Sequence, residues 1–170
     1  MDQKRNKLLD QTKQALRRIG LPIIQEKSLQ GGWDISTGVV HFDNGPAEIL
    51  AVSYDAKPEY ILISDRLAYL IPKEKVGDTL EIINELNMFQ VAGTFYLDRK
   101  ASTLGVSDGF YVNESELDKV TFEKPLLMVI KKGENLFPMI MDLFEGRKGK
   151  EEILEEIELS KKEAIRNGKI

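Results

Sequence analysis

The chain has 170 residues, 42% hydrophobic and 31% charged, with a formal net charge of -4. That length suits one domain able to bury a core unaided, and the composition is that of a soluble globular protein. Without cysteine there can be no disulfide, thiolate metal site or thiol catalysis, and the acidic balance argues against a nucleic-acid partner.

The N-terminus, MDQKRNKLLDQTK, carries charge with no apolar run after it, so a secretory signal is not expected. No apolar stretch approaches the ~20 residues of a membrane-spanning helix, and a cytoplasmic protein with no membrane partner is the expectation. Residues 3–19 form the first helix, with Leu8, Leu9, Ala15, Leu16 and Ile19 as its stripe and Gly20 with Pro22 as its stop. Lys4, Arg5, Lys7, Lys13, Arg17 and Arg18 make this helix basic against Asp2 and Asp10. A solvated face explains that asymmetry; a site for an acidic partner is the alternative.

Residues 23–38 show no clear period beyond a loop at Gln30-Gly31-Gly32 and a short strand at Trp33-Asp34-Ile35. Strands follow over 39–42, 48–54 and 60–64, separated by turns at 43–46 and 55–58. Pro72 precedes a second helix over 74–87, where Val76, Leu80, Ile83 and Leu86 keep helical spacing. Residues 83–98, INELNMFQVAGTFYLD, then hand a helix over to a strand in which Val91, Gly93, Phe95 and Leu97 alternate with Ala92, Thr94 and Tyr96. A turn over 98–102 leads into a partner strand through Leu104 and Val106 to Val112, with Gly105 and Gly109 predicting a bulge.

Thr121 is the expected N-cap of a long third helix ending at Phe144, with Glu123 in its first turn, Pro138 as an interior kink and Gly146 as its stop. Residues 149–166 form a charged fourth helix whose thin stripe, Ile153, Ile157 and Ala164, makes it the least stable element expected. The order is α-β-β-β-α-β-β-α plus a C-terminal helical extension. It describes an α+β, two-layer fold with a largely antiparallel sheet packed by helices. Residues 1–145 are expected to be a single domain and 146–170 a charged extension.

Three motifs resemble the YbjN-like family, described as bacterial sensory transduction regulators. They are Ile83-Asn84-Glu85-Leu86-Asn87 at the end of the second helix, Gly93-Thr94-Phe95-Tyr96-Leu97-Asp98 in the strand after it, and Phe137-Pro138 within the third helix. The resemblance covers roughly residues 1–145, and its specific part is these central and third-helix segments. It implies the two-layer fold of type III secretion chaperones and a regulatory or protein-binding role. It brings no catalytic residues, since the family has none established, and fold alone does not fix function.

The residues that could carry chemistry have simpler structural readings. His41, the sole histidine, has no nucleophile partner in view and suits a half-buried strand position. Asp34, Asp43, Asp55, Asp65, Asp98 and Asp108 fall near strand ends, where aspartate satisfies turn donors, and their spacing matches no calcium loop. The glycines at 31–32 and 105–109 match neither a P-loop nor a dinucleotide fingerprint. Asn84 and Asn87 suit a helix C-terminus, where asparagine tolerates the left-handed conformation and can hydrogen-bond the turn backbone; ligand or partner contact is the alternative. No cofactor and no metal site are expected.

On the third helix, Leu126, Val129, Ile130, Leu136, Phe137, Ile140, Leu143 and Phe144 share one core-facing arc, and Met128, Met139 and Leu127 lie outside it. Outward methionines suit an adaptable contact surface, unless the fourth helix or a second subunit covers them. The expectation is therefore a non-enzymatic protein-binding or regulatory module of chaperone or adaptor type, binding a protein partner or itself as a homodimer through the sheet edge or the third helix. The alternative is a small-ligand-binding or enzymatic domain in which Asn87, Tyr96 and Asp98 line a pocket beside the sheet.

Overall fold

A computed structural model describes residues 3–43, 45–54, 59–89, 92–112 and 119–167, with the backbone alone at 3–6, 54, 59 and 119–120. Helix α1, Gln3–Arg18, buries Leu8, Leu9, Ala15 and Leu16, as its spacing predicts. It ends in a Schellman turn: Gly20 has φ +82°, its N–H donates to the Arg17 carbonyl, and Leu21 N–H donates to the Leu16 carbonyl. Among the basic residues of α1, Lys13 pairs with Glu26 at 2.5 Å and Arg18 with Glu123 at 2.9 Å. The helix thus commits part of its charge to the sheet and to the entrance to α3, a use that is neither a solvated face nor a site for an outside partner.

Four strands come next: β1, Gln25–Leu29; β2, Gly32–Phe42; β3, Gly45–Tyr54; and β4, Glu59–Leu67. After a 3-10 turn at Lys73–Lys75 the chain forms α2, Val76–Asn87, then β5, Thr94–Asp98, and β6, Thr103–Val112. The six strands make one sheet in the order β1-β2-β3-β4-β6-β5, every neighbouring pair antiparallel. The α+β, two-layer, antiparallel architecture is as expected, with one strand more before α2. That strand, β1, escapes the period because an exposed edge needs no apolar face: Gln25, Glu26, Lys27 and Ser28 are all exposed. The turn at 55–58 and Val91 lie outside the described residues.

The bulge is not at Gly105 or Gly109, which keep regular register opposite Arg66 and Leu62. It sits on β2 between Ser36 and Val39, where Gly38 has φ +63°. Gly105 and Gly109 instead lie beneath aromatic rings. A Cβ at 105 would fall 2.7 Å from Tyr96 Cζ, and one at 109 would collide with the Tyr60 hydroxyl. Bare backbone there lets each ring lie down on the sheet.

One face of the sheet carries Ile35, Ala51, Ile61, Ile63, Leu67, Leu104 and Val106, which join residues from all four helices in a single core. Helix α3, Lys124–Phe144, packs across β4 and β6 on this face. Thr121 is not its N-cap. It belongs to a π-helical turn, Lys119–Glu123, that leads into α3 without a side-chain cap, and Pro125 stands in the first turn, where its missing N–H is harmless. Pro138 is accommodated inside the helix. Helix α4, Lys150–Arg166, packs against α2 and seats Ile153 and Ile157 in the common core. No helix of the described residues is long and apolar enough to cross a membrane.

Candidate functional site

Two polar clusters stand out, one on each side of the sheet. On the core face, the period of two that buries Ile61, Ile63 and Leu67 places Asp65 on the same side, and it is 1% exposed. The residue above it is Gly133, on the buried stripe of α3 beside Val129, Ile130, Leu136 and Phe137. A Cβ at 133 would overlap Asp65 Oδ2 and lie 3.1 Å from the Phe137 ring. Asp65 Oδ1 has no hydrogen-bond partner among the described residues. Burial, reinforced by the negative charge of Glu134, pushes this carboxyl up to about 8, so it is protonated at neutral pH. Lys132, on the neighbouring turn, reaches the Ala92 carbonyl; burial draws its ammonium below the usual range, against the pull of Asp108.

The opposite face is hydrophilic at its centre. Pairing sets Tyr96 beside Gly105, Gly105 beside Arg66, and Arg66 beside Glu48. The Glu48 carboxylate accepts from the Arg66 guanidinium and from the Ser36 hydroxyl, and Ser36 Oγ in turn accepts from Gly38 N–H at the bulge. Burial raises the Glu48 carboxyl, but the Ser36 and Arg66 contacts outweigh it and hold the group low. Asp34, one row along, is pushed up by burial despite Lys27. Tyr96 is also raised by burial, opposed by its bond to Ser64 and by Arg66. Every charge at the centre of this face therefore has a neighbour of opposite sign.

The aspartates divide accordingly. Asp43 lies in a turn, and Asp98 closes one by accepting the N–H groups of Lys100 and Ala101 at 2.9 and 3.1 Å. Asp34, Asp65 and Asp108 lie within strands, which corrects the strand-end reading, and Asp55 is outside the described residues. His41 is an exposed strand residue rather than a half-buried one, because it falls on the face turned away from the helices, opposite Pro46.

Asn87 is at the end of α2 without positive φ, so the left-handed explanation does not hold for it. Its side chain does hydrogen-bond backbone, as expected, but on the strand rather than in the turn. Oδ1 accepts the Phe95 N–H at 2.8 Å, and Nδ2 donates to the Phe95 carbonyl at 2.9 Å. This satisfies one residue on the outer edge of β5. Asn84 is exposed. Asn87, Tyr96 and Asp98 thus each bond within the chain, Asn87 at the sheet edge, Tyr96 on the open face and Asp98 in the turn.

On α3, the predicted core arc is buried, apart from half-buried Phe144. Leu127 is 51% exposed, between exposed Lys124 and Lys131, while Met128 and Met139 are half-buried. Met139 packs against the core. Helix α4 lies on α2, leaving Leu127 exposed.

No family model matches the chain, and no curated protein matches it either. Solved structures do. YbjN from E. coli, a candidate transcription regulator, aligns with a TM-score of 0.52 at 15% identity, over 76% of this chain and 88% of its own. A chain of the ExsC–ExsE complex aligns with a TM-score of 0.54 at 17% identity, over 81% of this chain and 98% of its own. Identities this low establish kinship of fold. The chain has the YbjN-like, chaperone-like fold implied by the motifs at 83–98 and 137–138.

Proposed function

We propose that this protein is a non-enzymatic module of chaperone or adaptor type that binds another polypeptide, or a second copy of itself, through the outward side of α3. The observation that carries the reading is Leu127, a large apolar side chain 51% exposed on a helix otherwise anchored to the sheet. Met128 flanks it and supplies an adaptable thioether, and Lys124 and Lys131 provide a polar rim. The shared fold with a chain of the ExsC–ExsE complex supports a protein partner. The polar residues that would have lined a small-ligand pocket are committed to structural bonds, which favours binding over chemistry.

The test is affinity capture from the native cell extract with mass measurement of the intact complex, run in parallel on wild type and on a Leu127→Lys, Met128→Lys double variant. Met139 is left intact because it packs on the core. The variant should keep its circular dichroism and lose the partner. A partner retained by the folded variant would remove α3 as the binding surface.

A further inference from the structure

We propose that the first half of α3, up to Gly133, is a proton-latched lid. It stays seated while the Asp65 carboxyl beneath it is uncharged, and it lifts off β4 and β6 about Pro138 when that carboxyl ionises. Leu127 and Met128 ride on the moving half, so as a means of regulation the latch rests on the α3 reading above; the motion itself does not.

The geometry of α3 supplies both the latch and the pivot. Gly133 lies so close over Asp65 that a Cβ there would overlap Oδ2, and Oδ1 has no hydrogen-bond partner among the described residues. Asp65 is buried with α3 lying over it, so hydrating its carboxyl means moving α3. Pro138 has no N–H to give the carbonyl four residues back, which makes 134–138 the weakest turn of the helix, directly after the contact. Before the contact, the helix starts from a π-helical turn without a side-chain cap. Beyond the pivot, fully buried Ile140 and Leu143 hold the second half down. The first half is apolar underneath as well, through Leu126 and Val129, so the lid opens rarely and pH sets how rarely.

The surroundings disfavour an Asp65 anion where it sits. On α3, Glu134 adds a like charge, while Lys132 is held at the Ala92 carbonyl and drawn by Asp108. On the strands, Ile49 and Val106 are its neighbours in register, and Asp108 stands on the same face two residues along β6. Arg66 turns to the other face, where it pairs with Glu48, and Tyr96 is on that face too. In the seated state the carboxyl is raised from 3.8 to about 8; lifted into water, it returns to the ordinary range. The seated form therefore holds a proton that the lifted form releases. Seating is at full strength below about pH 4 and weakens about tenfold for each pH unit up to about 8.

Hydrogen exchange of the intact chain, followed by mass spectrometry between about pH 6 and 8, tests the lid. Amide chemistry alone speeds exchange about tenfold per pH unit. An opening that also sheds the Asp65 proton should make the rise over 121–133 about a hundredfold per unit. The same residues should exchange at least ~10 times faster than β4, which opens only with the whole chain. Asp65→Asn should return 121–133 to about tenfold per unit. Pro138→Ala, which restores the helical bond, should slow exchange over 121–133 at every pH and leave its steepness unchanged. Exchange of 121–133 at the rate of β4 would mean that opening is global and there is no lid. Equal steepness in wild type and Asp65→Asn would remove the latch, and a Pro138→Ala chain no slower than wild type would remove the pivot; any one of the three overturns the proposal. No partner is present in the measurement, so its outcome is separate from that of the Leu127→Lys, Met128→Lys capture.

Discussion

The carboxyl group of Asp65 occupies the space that a side chain at position 133 would fill, so α3 lies on β4 because residue 133 is glycine. Mid-helix glycine costs about 1 kcal/mol relative to alanine, and a buried carboxyl without a full set of partners costs more. The fold carries both at one contact. A hydrophobic pair would fill the same space at lower cost, so this contact departs from a purely structural optimum.

The pH dependence of stability should expose Asp65. Its folded value, raised to about 8 from 3.8 by burial and Glu134, means that the folded chain holds a proton the unfolded chain has lost. The contribution is whole below the unfolded value and is lost as pH rises from about 4 to about 8, at up to ~1.4 kcal/mol per pH unit. Urea titrations across this range should show stability falling. Asp65→Asn, which keeps the shape and cannot ionise, should flatten that slope and gain several kcal/mol at pH 7 on the same argument. A slope unchanged in Asp65→Asn would mean that the carboxyl is not the responsible group.

The same contact predicts a reversal of sign. Gly133→Ala alone should lower stability by about 1–3 kcal/mol, because the new methyl overlaps Asp65 Oδ2 and the gain in helix propensity is smaller. With Asp65→Ala in the background the methyl has room, and Gly133→Ala should then be neutral or stabilising by up to ~1 kcal/mol. Additive effects in the double-mutant cycle would show that the two positions are not coupled.

At the β5 edge, Asn87 is the residue to change. Both backbone groups of Phe95 that point away from β6 are taken up by its amide. Asn87→Ala should cost about 1–3 kcal/mol and leave those groups unpaired on a sheet edge. Hydrogen exchange at the Phe95 amide should accelerate, and the variant should aggregate at lower concentration than wild type. Protection equal to wild type would mean that the edge is shielded by something other than Asn87.

Much of this architecture could be read from period alone. The stripes of α1 and α3 and the strands 48–54 and 60–64 obey the spacing that burial requires, because each has one face on the core, while the strand of the handover begins only at Thr94, after Gly93 at φ +72°. β1 could not be read, since an exposed edge strand leaves no apolar alternation. Asp65 was misplaced for a different reason. Ending the strand at Ser64 turned a core position into a turn residue, although 61, 63, 65 and 67 keep the period of two. The matching signal was Gly133, a glycine on the apolar stripe of a long helix. The Asn87 bridge depends on a helix end and a strand edge meeting in space, which no local pattern encodes.

The division into a 1–145 domain and a 146–170 extension predicts how a shortened chain behaves. Helix α4 places Ile153 and Ile157 in the common core and is tied to α2 through Lys150 with Glu81 at 2.7 Å and through Lys161 with Glu85. Removing it uncovers the outer side of α2 and forfeits the burial of two isoleucines, about 1.5–3 kcal/mol each. The sheet and α3 keep their mutual packing, because α3 makes its main contacts with β4 and β6 and α4 makes its own with α2. A chain ending at Gly146 should therefore unfold cooperatively, with a melting temperature lower by on the order of 10 °C. Calorimetry decides the matter. A broad, non-cooperative transition would show that α4 completes the domain, and an unchanged melting temperature would show that its isoleucines contribute nothing to the core.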